Sequence, residues 1–414
     1  MSALELRRAV TCLALLLTLG LCTGGLSSAA AEAAPEPTPM LIAFPDGSRH
    51  FDYEVRVDLS ELRHEDVPET IETLRELYQL HRVDLGQGPL EEGEEPRLLW
   101  SDIRAMQEAF PGVEFLYRVR VFGSDPIDQS RVFDDYTTLD EVFDLNHIAM
   151  DDEGAAVREI LPCMQNCAFL DMDFCKVSDE SMAKIRRDFP QMEVVWRVWF
   201  GHECSARTDV ERILASTDGT WLNDENSRAL RYCTKVRYLD LGHNPALQHL
   251  DFLHSMPELE VAIVTLTDMQ DLSDFSDCTK LEFLEIAFIK EDIDLSPLAN
   301  LKHLHHLNMN CLRYVTGVEA LCELKELERL WIGARTIVSA EDLAMLREAL
   351  PDTQFDTTDT TGTLGTWRRN PDGTIAERYA LLREQFDYDH YYKVWSGNAA
   401  DPRYNVRHDG KKRT

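Results

Sequence analysis

VRYLDLGHN (236–244), LEVAIVTLT (259–267), LEFLEIAFI (281–289), LHHLNMNCL (304–312) and LERLWIGAR (327–335) recur along the chain every 22 or 23 residues. Aligned on Val236, Leu259, Leu281, Leu304 and Leu327, they keep apolar side chains at the first, fourth and sixth positions. Alternation over the fourth and sixth positions is the mark of a strand with one buried face. A unit this short cannot bury that face alone, so it folds by stacking on its neighbours and leaves the opposite sheet face available.

The shared pattern is L-x-x-L-x-L-x-x-N, the signature of a leucine-rich repeat. The fold class expected is therefore α/β: a leucine-rich repeat solenoid with a parallel concave sheet and convex helices or irregular turns. Units of 22–23 residues leave no room for a long return helix, so short 3₁₀ or irregular turns are expected on the convex side of the central stretch.

A second, longer period precedes this array. WSDIRAMQEAFPGVEFLYRVRVFG (100–123) matches VSDESMAKIRRDFPQMEVVWRVWFG (177–201), VDLSEL (57–62) matches FDLNHI (143–148), and LHRVDLG (80–86) matches CAFLDMD (167–173). One module of about 80 residues thus occurs twice, with an acidic loop, Gly88 to Pro96, added to the first copy. Ile103, Met106 and Phe110 recur at i, i+3 and i+7, as do Met182, Ile185 and Phe189, and Leu343, Leu346 and Leu350. That spacing predicts amphipathic helices. Ser178 and Ser339 stand as N-caps, and Ser339 with Asp342 resembles a capping box. Pro111, Pro190 and Pro351 stop the helices. Strands with Phe115, Tyr117, Val119 and Val121, or Val194, Trp196, Val198 and Phe200, on one face follow the first two.

The organisation expected is a signal peptide (1–31), a flexible Ala/Pro-rich lead-in (32–50), two helix-bearing modules (51–123 and 124–201), the central array (202–335), a last repeat with a C-terminal cap (336–395) and a frayed tail (396–414). Arg7 and Arg8, the apolar run from Ala9 to Leu21 and Ala29-Ala30-Ala31 follow the order of a secretory signal. A lipid anchor on Cys22 is the alternative, opposed by the bulky Leu21 before it. No later segment is apolar enough to span a membrane. Leu350-Pro351-Asp352-Thr353-Gln354 nearly spells a sorting signal, but Gln stands where that signal needs Gly and no apolar tail follows.

The formal charge is −32, and losing residues 1–31, with Arg7, Arg8 and Glu5, leaves −33. Nucleic acid and anionic lipid are poor partners for such a surface. Cys233 and Cys278 occupy the place taken by Met256, Leu301 and Leu324 in other units, which reads as core packing, and no disulfide framework is evident. The chain lacks G-x-S-x-G, H-E-x-x-H, a phosphate-binding loop and a dinucleotide fingerprint. His303, His305 and His306 cannot all reach one metal from a strand, because His305 and His306 face opposite ways. No metal, cofactor or reaction is implied. A hydrolase built around Cys204, near His202, stays open as a minor alternative.

In the repeats, the residues flanking the fourth position point to the concave side. One column is Tyr238, Val261, Phe283, His306 and Arg329; the next is Asp240, Ile263, Glu285, Asn308 and Trp331. A solvated sheet face is mostly polar, whereas this one mixes aromatics, Arg and acids, the composition of protein-binding hot spots. The competing reading is that these side chains lie under another segment, such as the aromatic C-terminal tail. Asn244, at the ninth position, is expected to satisfy backbone groups of the turn; Thr267, Ile289, Leu312 and Arg335 replace it elsewhere.

YLDLGHN (238–244), LERLWIG (327–333), ERYALLREQFDY (377–388) and the two FP-x-x-E-x-x-[YW]-R-V strands resemble secreted leucine-rich repeat proteins of Gram-positive anaerobes, especially gut Clostridia. The resemblance covers most of 52–395. It implies an extracellular or envelope-attached binding module, without catalysis, for a protein or glycan at a cell surface. A self-associating envelope scaffold is the alternative.

Overall fold

The computed structural model describes residues 38–89, 93–123, 133–202, 204–216, 220–289, 292–333, 335–357 and 374–385. The expected signal peptide with Cys22, Glu203 and the tail beyond Gln385 lie outside these residues.

The chain divides into two compact units at Val194/Val195. In the first, a hairpin of β1 (Leu41–Ala43) and β2 (Arg49–Phe51) precedes β3 (Arg56–Asp58), α1 (Val67–Leu74), β4 (Arg82–Gln87), α2 (Trp100–Ala109), β5 (Glu114–Val121) and β6 (Phe133–Thr137). The stretch expected as a flexible lead-in up to residue 50 is therefore folded from Leu41, because Ile42 and Phe44 are buried in the core of this unit. Strands β3, β4 and β5 are parallel, and β6 returns antiparallel to β5. Then follow β7 (Val142–Asp144), α3 (Ala155–Ile160), β8 (Phe169–Asp171), α4 (Asp179–Asp188) and β9 (Glu193–Val195), with β7, β8 and β9 in one sheet. Along β5 the side chains alternate as expected: Phe115, Tyr117, Val119 and Val121 are buried and join Ile103 and Met106 of α2 or its neighbours in the core.

Each long helix ends one residue before its C-cap, and the C-cap before a proline. Phe110, Phe189 and Leu350 are the caps, all with φ between −125° and −136°. Proline at the next position cannot offer the N–H that another turn needs. Ser178 accepts from Ser181 N–H at 3.3 Å and Ser339 from Asp342 N–H at 2.9 Å, so both serines are N-caps.

The second unit opens with the antiparallel hairpin β10 (Arg197–Phe200) and β11 (Cys204–Arg207). This repeats the β5–β6 arrangement at the end of the other module copy. A seven-stranded parallel sheet follows: β12 (Arg212–Leu214), β13 (Tyr238–Asp240), β14 (Val261–Ile263), β15 (Phe283–Glu285), β17 (His306–Asn308), β19 (Arg329–Trp331) and β20 (Gln354–Asp356). Two short parallel strands, β16 (Asp292–Asp294) and β18 (Tyr314–Thr316), form a side ladder. This unit is a leucine-rich repeat solenoid.

The returns are 3₁₀ turns, at Arg228–Tyr232, Asp251–Ser255, Ser273–Phe275, Ser296–Asn300 and Val318–Glu323. Cys233, Met256, Leu301 and Leu324 terminate four of them and are fully buried. Cys233 is thus an apolar core position, as Cys278 is in its own unit. On the sheet's inner face Leu239, Ala262, Leu284, Leu307 and Leu330 are in register and have no exposure. Each such leucine contributes about 1.5–3 kcal/mol through burial. True helices return only at the end, where α5 (Ala340–Ala349) leads into β20. The last helix among the described residues is α6 (Glu377–Gln385).

The strand-end turns follow one scheme. Asp58, Asp144, Asp171, Asp240 and Asn308 each close a strand and, like Asp84 within β4, accept through Oδ1 the N–H two residues on, at 2.8–3.2 Å. This is an Asx-turn. After four of these turns the next residue takes a left-handed conformation: His147, Phe174, His243 and Cys311 have φ of 58–66°, and Leu266 and Phe288 do the same after Ile263 and Glu285. Such conformations cost about 1–2 kcal/mol for a non-glycine residue, which the ladder of neighbouring turns must offset.

Candidate concave binding face

The two expected columns exist and are in exact register across the strands. Tyr238, Val261, Phe283, His306 and Arg329 pair in one line, and Asp240, Ile263, Glu285, Asn308 and Trp331 in the other. The register extends each line by one residue at both ends, adding Arg212 and Gln354 to the first and Leu214 and Asp356 to the second. These four escape the sequence pattern because VERIL (210–214) and TQFD (353–356) lack the repeat's spaced leucines.

The columns form a connected aromatic and charged surface. Phe283 and His306 rings lie 6.1 Å apart, and His306 lies 5.5 Å from Trp331. The Arg329 guanidinium lies 4.6 Å from the Trp331 centroid, a cation–π distance. Arg329 Nε donates to Asp356, tying β19 to β20. Arg237 stands 5.1 Å over the Tyr238 ring and donates from Nε to Glu260 at 2.8 Å. The Tyr238 phenol is pushed above its ordinary pKa, by burial first and then by the Glu260 carboxylate. The Thr265 hydroxyl donates to Glu285 at 2.5 Å.

None of the ten column residues is more than 8 % exposed. The cover includes the C-terminal helix: Leu382 of α6, itself 4 % exposed, joins one apolar cluster with Leu214, Tyr238, Val261, Ile263, Phe283 and Trp331, and Tyr379 packs against it. The helix expected in a terminal cap therefore packs on the concave columns. Asp240 and Asn308 are also partly committed, since each uses Oδ1 to close its own strand-end turn.

Asn244 holds the turn beside this face. Its Nδ2 lies 2.9, 2.8 and 3.1 Å from the main-chain oxygens of Ala215, Leu241 and Gly242, and its Oδ1 accepts from Leu222 N–H at 2.9 Å. Thr267 retains one of these bonds, to the Val264 oxygen at 2.8 Å. Ile289 and Leu312 keep none through the side chain, having no polar atom there.

The other groups singled out in the sequence have structural partners. His303 lies 3.1 Å from Glu326 in the next unit, His305 3.3 Å from Glu328, and His306 3.3 Å from Glu328. Among the described residues no group of three or more His, Cys, Asp or Glu could hold a metal ion. The Cys204 sulfur is buried and lies 3.5 Å from the His202 main-chain oxygen, whereas a nucleophilic thiol needs access and a base. Asp152 caps its own turn through the N–H groups of Gly154 and Ala156.

No family model matches this chain, and no curated protein matches it. Solved structures of bacterial leucine-rich repeat proteins are similar to it. Internalin C2 of Listeria monocytogenes aligns at 15 % identity over 53 % of this chain and 79 % of its own, with a TM-score of 0.29. A second internalin of that organism, inlF, aligns at 13 % identity over 71 % of this chain and 73 % of its own, with a TM-score of 0.32. A leucine-rich repeat protein of Leptospira interrogans aligns at 15 % identity over 69 % of this chain and 50 % of its own, with a TM-score of 0.28. Among the described residues no helix is long and apolar enough to cross a membrane.

Proposed function

We propose that this chain is an exported, non-catalytic binding protein that recognises a protein ligand through the concave columns. The observation that carries this reading is the contrast between the two faces of one sheet. The inner face is uniformly aliphatic at Leu239, Ala262, Leu284, Leu307 and Leu330. The outer face sets Tyr238, Phe283 and Trp331 beside Arg329, His306, Asp240 and Glu285. A sheet side needed only for folding would gain nothing from buried charges. Aromatic anchors with Arg are what an interface centre uses.

In this reading residues 1–31 direct export, 51–123 and 124–201 are two copies of one module, 202–335 form the array, and 336–395 complete it. The likeness of YLDLGHN (238–244) and LERLWIG (327–333) to secreted proteins of Gram-positive anaerobes supports a place outside the cell or on its envelope. The charge of −32 favours a partner with basic groups around its contact patch.

The test is capture from cell-surface extracts by the full chain and by Trp331→Ala with Phe283→Asp. Saturable capture of a defined protein, lost in the double variant while the thermal transition survives, supports the reading. Equal capture by both contradicts it. A concentration-dependent oligomer abolished by the same double variant would assign the face to self-association instead.

A further inference from the structure

The concave face carries chemistry suited to a partner, yet it is covered, and a named segment of this chain takes part in covering it. We propose that α6 is a resident, displaceable occupant of this face, and that the ligand is a helical polypeptide segment that replaces it. This rests on the reading of the columns as a binding face.

The residues in contact define the shape of the guest. Tyr379 and Leu382 are three apart, so they lie on one side of a helix. Leu382 belongs to one apolar cluster with Tyr238, Val261 and Phe283 of the first column and Ile263 and Trp331 of the second, and Tyr379 packs against that cluster. An aromatic-x-x-leucine pair laid into a groove is the helix-in-groove mode of recognition. A glycan offers no such apolar ridge, so the geometry selects a polypeptide.

The same contacts mark α6 as separable. Leu382 and, just before the helix, Ala376 are buried, whereas Leu381 and Ile375 are exposed. Among the described side chains the helix meets the face through Tyr379 and Leu382. An isolated nine-residue helix has little stability in water, so α6 depends on the sheet far more than the sheet depends on α6. The sheet's strands are locked by seven-strand pairing and an aliphatic inner face that owe nothing to it. Elements that open below the global unfolding free energy are those with few buried apolar contacts.

The experiment uses the full-length chain, wild type and Tyr379→Asp with Leu382→Asp, and a synthetic peptide of residues 374–395 as probe. In wild type, α6 amides should exchange hydrogen at least about ten-fold faster than amides of β13, β15 and β17. The variant should keep the thermal transition of the sheet and bind the peptide about ten-fold more tightly than wild type, because no resident helix competes. A peptide carrying Leu382→Asp should not bind. Wild-type α6 exchanging as slowly as the sheet, or a folded variant that ignores the peptide, would overturn the proposal. No outside ligand enters this test, so the two readings fail separately. A variant that captures a surface protein yet ignores the peptide removes the displaceable helix and keeps the binding face. Peptide binding without any surface capture does the reverse.

Discussion

The guanidinium of Arg329 stacks 4.6 Å from the Trp331 ring while its Nε is bound to Asp356 on the neighbouring strand. One side chain therefore links the aromatic centre of the concave face to the last strand of the sheet. Arg329→Ala removes both interactions and leaves Asp356 without this partner. We expect a loss of about 2 kcal/mol in denaturant unfolding, with Arg329→Lys recovering only part of it, because an ammonium lacks the planar fork and the stacking surface.

Asn244 makes its four backbone bonds to Ala215, Leu241, Gly242 and Leu222 from one buried side chain. Asn244→Ala should cost about 3 kcal/mol, since several buried polar groups lose partners together. Asn244→Asp should be no better, because a carboxylate cannot donate to the three carbonyls. Urea midpoints at matched m-values measure both.

The N-cap serines offer a smaller and cleaner effect. Ser339→Ala should destabilise by about 1 kcal/mol, and Ser339→Asp should recover only part of it, since Asp accepts from the N–H of Asp342 but opposes the Asp342 carboxylate to which the Ser339 hydroxyl donates at 2.7 Å. Thermal melts of the two variants separate the loss of the cap from the loss of the serine itself.

Burial holds several thiols protonated. Cys278 is pushed up to about 12 and Cys163 to about 11, in both cases by burial before any charge. At pH 8 neither should react with iodoacetamide in the native protein, and Cys322, less buried, should be modified before them. A folded-state pKa above the unfolded value of 9.0 contributes stability below pH 9. That contribution is lost as pH rises from 9 towards 12. Urea midpoints should therefore hold up to about pH 9 and fall above it. A midpoint that rises between pH 9 and 11 would contradict the burial of these thiols.

The columns from Tyr238 to Arg329 and from Asp240 to Trp331 could be read in advance because strand alternation is local and the repeat fixes its phase. The 3₁₀ returns followed from unit length, and the helix ends from Pro111, Pro190 and Pro351. Three features were less accessible. The Asx-turns have a signal, Asp or Asn followed by Leu or Met and then Ser, Gly, Asn or Asp, but its meaning appears only when Asp58, Asp144 and Asp240 are seen to close strands. The left-handed turns at Phe174 and Leu266 use residues that single-residue preference excludes, because the stack decides them. The packing of Leu382 in one apolar cluster with the column residues joins segments far apart in the chain, and no local pattern encodes which face a terminal helix will choose.

The central claim is that the concave columns form an interaction face shielded by α6. Hydroxyl-radical footprinting of the full-length chain tests it most directly, comparing wild type with Tyr379→Asp and Leu382→Asp. The account predicts that Tyr238, Phe283 and Trp331 gain reactivity while Leu239, Leu284 and Leu307 on the inner face stay protected. Continued protection of the columns, or equal exposure of both faces, would contradict it.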